Sequence, residues 1–401
     1  MNNKTTHNTY LNYLRNLLTI FLLSSLVSLA NAQQMGGKNQ KSDFTEQSAA
    51  SAGVFVDALN AKDLDTLGKL TDTEKLGRIV ATALFSKQKD INDFILGFSS
   101  PSTQKVLINN LFGQFFIEEA NTLFVRMIDE QGVLRPLVRI DYATGGHEYL
   151  ILYLNEAQKV YDFHLASKGG LFSTSLTQAT SLMVSTDDSF FGKMFGNAKI
   201  NQDVMNKFQQ IGRLRQAGQF EQAYRLLQNM PEEMKKQRVI IDTGIMLAQN
   251  INDDEYLTQL GLLDKHFGDS PSTQFMLIDY YVMTNNNTKT LQAMANVIER
   301  FGMDGALGEL SANLHYNLGQ MNEALKYAYL GVNAEPSFEP PYWTLLTIYN
   351  EQQNYQGVAD TLNLISDRLY YEFTPESLGS EPSFAGFLAS DEFKTWYQNQ
   401  G

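Results

Sequence analysis

The C-terminal half of this chain returns to a helix-breaking position at an almost fixed interval. Gly218, Asn252, Asn286, Gly319 and Gln353 follow one another at spacings of 34, 34, 33 and 34 residues. A second column lies five residues further on, at Ala223, Leu257, Leu291, Ala324 and Val358. A period of about 34 residues is the length of two helices joined by a tight turn, with a small or apolar side chain where the second helix crosses the first. Each such pair buries its apolar face only against its neighbours, so this half cannot close around one core. The architecture predicted is a surface for binding.

The start of the chain differs in kind. Lys4 and Arg15 lead an apolar run from Leu17 to Leu29, and Ala30-Asn31-Ala32 places small residues as a signal peptidase requires. Residues 1–32 are therefore expected to be a secretory signal peptide cleaved after Ala32. The run of 13 residues is too short to span a hydrocarbon core of about 30 Å. Cleavage would remove two basic residues and no acids, taking the formal charge from −13 to −15. Such an acidic surface repels phosphate backbones and anionic headgroups, which argues against nucleic acid and membrane partners. The chain has no cysteine, so neither a disulfide nor a lipid-bearing cysteine after the signal is available. A soluble periplasmic protein, without membrane insertion after cleavage, is the expectation.

Residues 33–42 are polar and glycine-bearing, as a flexible tether would be. From Asp43 to about Phe98, and again from Ser102 to Phe112, apolar residues recur at helical spacing: Val54 and Ala58, Leu64 and Leu67, Ile79 and Ala83. The period then changes to two. Four strands are predicted, at residues 122–128, 137–142, 149–154 and 159–165, and their short connections require an antiparallel meander. Helices followed by strands make residues 43–195 an α+β domain. A linker (196–203), helical repeats (204–370) and a capping segment (371–401) complete the expected order. The order of helices then curved meander over residues 43–185 resembles the nuclear-transport-factor-2-like fold, a superfamily of enzymes and structural modules.

Within the repeats, Gly319, Ala324 and Pro336 have the spacing of the tetratricopeptide repeat, with glycine in the turn, alanine five residues later and proline seventeen after the glycine. Phe220 and Ala223 repeat part of it around Gly218. Tyr342, Tyr349 and Tyr355 supply its aromatic positions around Gln353. The units around Asn252 and Asn286 diverge, with asparagine in the turn, where it tolerates left-handed backbone, and leucine at the alanine position. Residues 204–370 thus resemble about five tetratricopeptide-type helix pairs, an all-α solenoid. Phe384, Phe387, Leu388, Phe393 and Trp396 are suited to closing its open end.

In that family the first helices of successive pairs line a groove for a peptide or protein segment. The resemblance places Arg215, Asp242, Met246, Gln249, Tyr280, Met283, Glu309, Asn313, Tyr316, Trp343 and Asn350 towards it, although several, Met246 and Met283 above all, are equally suited to packing between helices. It implies an interaction adaptor or scaffold holding a protein segment of an envelope complex, with self-association as a further outcome. No sequence pattern implies a cofactor or a metal. His147, His164, His266 and His315 show no paired-ligand spacing, and no phosphate-binding loop or nucleophile elbow is present. One constellation leaves an alternative open. Asp162 and His164 share a strand face, as do Arg139 and Asp141. Around a cavity, Asp162 and His164 could act as base and acid in a small-ligand binder or enzyme; on a wet sheet face they would do nothing.

Overall fold

The computed structural model describes residues 38–116, 120–143, 145–181 and 202–399. The expected signal peptide, residues 33–37 of the tether, the domain end near Phe195 and most of the linker lie outside the described residues. The chain divides into two compact units after Asn286.

The first unit opens with helix α1 (Lys38–Asn60). Residues 38–42, expected as tether, are helical: this Lys- and Gln-bearing stretch has no proline to stop propagation from the amphipathic segment behind it. Helices α2 (Leu64–Leu70), α3 (Thr73–Leu84), α4 (Gln88–Phe98) and α5 (Pro101–Phe112) follow. Their starts are written locally: Asp63, Asp72 and Ser100 each accept the backbone N–H three residues on, and Pro101 occupies the first turn of α5.

The sheet is an antiparallel meander, β1 (Asn121–Glu130), β2 (Val133–Asp141), β3 (His147–Leu154), β4 (Val160–Leu165) and β5 (Gly170–Leu171), in that spatial order. Among the described residues it has five strands where the sequence predicts four. Two residues are too few to carry a period-two pattern. The fifth strand arises because Gly169, at φ 60°, turns the chain back after the tight turn Ala166–Lys168. Strand β2 also starts earlier than the alternation suggests. Pro136 interrupts that pattern, yet it pairs only with β1 and lies outside the β3 register, so its missing N–H breaks no ladder there.

One sheet face carries Val138, Ile140, Leu150, Leu152, Phe163 and Leu165 into a core with Phe55 and Leu59 of α1 and Leu111 and Phe112 of α5. Phe55 meets Phe112 edge-on at 5.4 Å, and Phe163 stacks at 5.0 Å on Phe172, the first residue of α6 (Phe172–Ser181). The other face is not wet. Leu137, Arg139, Tyr149, Ile151, Asp162 and His164 are all buried.

Helices α7 (Gln202–Gln216), α8 (Phe220–Gln228), α9 (Glu232–Lys235), α10 (Arg238–Ala248), α11 (Asp253–Phe267) and α12 (Gln274–Met283) belong to the same unit as the sheet. Tyr149 of β3 meets Phe275 of α12 at 5.8 Å, edge to face. The second unit comprises α13 (Asn287–Phe301), α14 (Gly305–Asn317), α15 (Met321–Ala334), α16 (Pro340–Glu351) and α17 (Tyr355–Leu369), then three short helices, α18 (Pro375–Gly379), α19 (Ala385–Leu388) and α20 (Asp391–Gln398). Helix α14 packs on both α15 and α16, and α16 on α17. Phe387 and Trp396 are buried beside Leu362 and Ile365 of α17, and the Trp396 indole N–H donates to Asn363 Oδ1 at 2.7 Å.

The periodic turns are built alike. After α7, the Gly218 N–H donates to Arg215 O and the Gln219 N–H to Leu214 O, both at 2.9 Å. The same pair of bonds closes α14 at Gly319 and Gln320, α16 at Gln353 and Asn354, and α12 at Asn285 and Asn286. Each first residue is left-handed, with φ of 70°, 71°, 54° and 56° in that order, as this helix stop requires. The second divergent turn is therefore centred on Asn285, one residue before the position the sequence suggests. Its buried residue five further on is Thr290; Leu291 is only half-buried. Asn252 is no left-handed turn residue either. It is extended, with φ −169°, and its side chain caps α11 by accepting the Glu255 N–H at 2.8 Å.

Candidate functional site

The densest chemistry in the first unit lies where the sheet meets α10 and α12. Strand alternation puts Arg139 and Asp141 on one face, and antiparallel register sets His147 opposite Asp141. Arg139, fully buried, binds both Asp141 oxygens at 2.6 and 2.9 Å, and His147 Nδ1 lies 2.6 Å from Asp141 Oδ1. Burial alone would raise the Asp141 carboxyl, but the His147 and Arg139 bonds outweigh it and hold the group below its ordinary value.

Next along the chain, buried Glu148 accepts from the Tyr149 N–H at 2.9 Å, the Ser167 N–H at 3.1 Å and the Ser167 hydroxyl. Burial still pushes this carboxyl up. Burial has the opposite effect on the Lys168 ammonium, pulling it down against the charges of Glu148 and Asp242. Arg238, at the start of α10, donates through Nε to Asp242 Oδ2 at 2.5 Å and through Nη2 to the Lys168 carbonyl at 3.4 Å. Burial pushes Asp242 up to about 6, even with Arg238 and Lys168 beside it, and its buried Oδ1 accepts no hydrogen bond. Four charges of alternating sign, Glu148, Lys168, Asp242 and Arg238, thus tie the sheet to α10. Such a chain fixes one geometry at a desolvation cost, which is the ordinary work of a buried ion network.

Asp162 and His164 share a face, as the alternation requires, and are 3% and 5% exposed. The wet-face alternative is thereby removed. Asp162 Oδ1 accepts the Phe163 and Ser173 N–H groups, each at 2.9 Å, so the carboxylate anchors the first turn of α6. Burial pushes it up to about 6, with the Arg135 charge pulling the other way. Arg135 itself stacks on the Tyr153 ring at 3.7 Å.

Of the residues expected on a groove, Asp242 is buried and paired with Arg238. Arg215 is half-buried with Nη1 3.4 Å from Met246 Sδ, and Met246 is buried between helices. Gln249, Tyr280 and Met283 are half-buried. In the second unit the expected residues come together. Glu309, Asn313 and Tyr316 repeat along one side of α14, and Trp343 and Asn350 along one side of α16. Asn313 Nδ2 donates to Glu309 at 2.6 Å, Thr344 Oγ1 to Asn313 at 3.3 Å and the Tyr316 hydroxyl to Glu351 at 2.5 Å.

Sequence reasoning missed what lies across this face. The segment after α17 brings Tyr371 and Phe373 to Trp343, at 5.8 and 6.4 Å, each edge to face, and the Tyr371 hydroxyl donates to Glu339 at 2.9 Å. Asn350 Nδ2 donates to the Ser383 carbonyl at 2.5 Å. Trp343 and Tyr371 nonetheless stay 36% and 39% exposed, and Tyr370 87%. The signal was present in the run Tyr370-Tyr371-Glu372-Phe373, whose aromatic content is unusual for a helix exit.

Among the described residues, no group of three or more His, Asp or Glu side chains gathers as a metal ion requires. No described helix is long and apolar enough to cross a membrane. No protein-family model matches the chain, and neither a curated protein nor a solved structure matches it.

Proposed function

We propose that this chain is an exported, periplasmic interaction scaffold whose helix pairs, similar to tetratricopeptide repeats, hold a protein segment of an envelope complex. The observation that carries the reading is the recurring helix stop: the same two backbone bonds at Gly218, Asn285, Gly319 and Gln353, each followed five residues later by a buried Ala, Thr or Val. Turns so alike present the first helices of the pairs within each unit in like orientation, as a binding face requires. Export rests on the pattern of residues 1–32, and the α+β layer, of nuclear-transport-factor-2-like order, acts as a support for the helices through Tyr149 and Lys168.

Photoreactive residues placed at Tyr280 and Trp343 in living cells test this. A discrete protein adduct at either position, recovered from the periplasm, is the expected result. Absence of any adduct at both would sink the scaffold reading. A second reading, a small-ligand pocket beside Asp162 and His164, draws on the burial of that pair. It requires a ligand whose binding is lost on His164→Ala while fold and crosslinks persist.

A further inference from the structure

The second unit carries an unusual excess of acid: residues 287–401 hold five Lys and Arg against fourteen Asp and Glu. The imbalance is sharpest where the aromatic side chains surface. Between Glu335 and Glu381 there are eight carboxylates and one cation, Arg368, which donates to the Val332 carbonyl. On the face formed by α14 and α16, Glu339 and Glu351 accept from the Tyr371 and Tyr316 hydroxyls, both neutral donors, and half-buried Glu309 accepts from Asn313 Nδ2. The two tyrosine bonds hold Glu339 and Glu351 without neutralising them, and both side chains stay exposed.

The rings beside them are set for a cation as well. Trp343 stands at 84° to Tyr371 and at 79° to Phe373, while Tyr371 and Phe373 stack at 19°. Each ring therefore offers either an edge or a face, and the faces attract ammonium and guanidinium groups. A solitary exposed tryptophan needs no explanation, but Trp343, Tyr370 and Tyr371 are exposed together and embedded in negative charge. An acidic partner is repelled from this face, and a purely apolar one leaves Glu339 and Glu351 desolvated with only hydroxyl donors beside them.

We infer that the α14–α16 face with its Tyr370–Phe373 rim binds a lysine- or arginine-rich protein segment, whose cations meet Glu339 and Glu351 and stack on Trp343 and Tyr371. This rests on the scaffold reading and names the chemistry of its partner.

The test uses the chain from residue 33 onward and three twelve-residue peptides, one alternating lysine with leucine, one glutamate with leucine and one serine with leucine. Titration is followed by calorimetry and by tryptophan emission, in which Trp343 is exposed and Trp396 buried. The lysine peptide is expected to bind, to shift Trp343 emission and to weaken as salt is raised; the other two are not. Trp343→Ala and Glu339→Gln should each lower affinity at least tenfold, whereas Asp360→Asn, which removes one exposed charge from α17, should change it less than twofold. Equal loss in all three variants would reduce the effect to bulk charge and overturn the inference. So would equal binding of the glutamate peptide, or concentration-dependent dimers abolished by Trp343→Ala, which would make a second copy the occupant. If crosslinking at Trp343 captures a partner segment lacking basic residues, the scaffold reading stands and this inference falls.

Discussion

Replacing Gly169 by alanine should unfold the first unit more readily than any comparable turn substitution. Gly169 sits at φ 60°, and an L side chain in left-handed backbone costs about 1–2 kcal/mol. Space is the second cost. A Cβ there would stand 2.6 Å from the Ser272 carbonyl, 2.9 Å from Met276 Sδ and 3.0 Å from Arg238 Nη2. The methionine end can swing away, but the carbonyl belongs to the backbone leading into α12 and cannot. Forcing it aside costs a further ~1–3 kcal/mol by the measure of overpacked cores, and together the two effects reach about 2–5 kcal/mol. Gly132 supplies the control, at φ 82° with nothing within 4 Å of its added Cβ; Gly132→Ala should cost only about 1–2 kcal/mol. Urea unfolding followed by far-ultraviolet circular dichroism measures both, and native-state hydrogen exchange should quicken in β3, β4 and α12 for Gly169→Ala alone. Equal destabilisation by the two alanines would refute the close approach of the sheet turn to α10 and α12.

Three further predictions follow from side chains already placed. Asp162 is raised to about 6 from 3.8, so the folded form holds its proton more tightly than the unfolded one between those values; its stabilising contribution is full below pH ~4 and lost as pH rises through ~6. Asp162→Asn, which can still accept the Phe163 and Ser173 N–H bonds, should raise the melting temperature at pH 7.5 and flatten its pH dependence, while Asp162→Ala strips both bonds and should lower it. Gln353→Gly should stabilise the second unit by about 0.5–1 kcal/mol, since it removes left-handed strain at φ 54° at some cost in unfolded-state entropy; chemical denaturation monitored by tryptophan emission reads it. Phe387→Ala, at a fully buried ring 6.2 Å from Trp396, should cost about 3–5 kcal/mol and shift Trp396 emission to the red; an unshifted spectrum would deny that the C-terminal helices are packed as described.

How much of this was readable in the sequence depends on how local the cause is. The helix starts at Asp63, Asp72 and Ser100, the meander and the Gly132 turn follow from neighbours in the chain, and alternation correctly set Asp162 with His164. The buried second face of the sheet could not be read. Its cover includes Phe275, more than a hundred residues from Tyr149, and a period of two says which residues share a face without saying what lies above it. The candidate groove divides the same way. Glu309, Asn313 and Tyr316 fall together because one helix repeats them, whereas the approach of Tyr371 and Ser383 depends on a return of the chain that no periodicity encodes.

The one pair without the tight helix stop, α10 and α11, also meets the sheet layer, as α12 does. Ile251 occupies the turn position there, and a β-branched side chain is unsuited to left-handed backbone. The chain takes a wider wrap instead, in which the N–H groups of Ile251 and Asn252 both reach the Ala248 carbonyl, at 2.9 and 3.2 Å. Helix α10, which precedes it, cannot be spaced by a small crossing residue on α11, where Tyr256 is buried. Gly244 lets it close up instead: a Cβ there would stand 2.2 Å from the Gln259 side chain, whose amide donates to the Tyr224 hydroxyl at 2.8 Å. With its packing set by this polar contact, α10 turns Arg238 and Asp242 towards Lys168 of the sheet layer and not towards a partner. Asp242 therefore reads as a groove residue when the pattern is carried across all five pairs, and as part of a buried ion network once α10 is understood to serve a second layer. The sheet layer thus rests on α10 through Lys168 and on α12 through Tyr149, and only the first of these lies in the pair that lacks the tight stop.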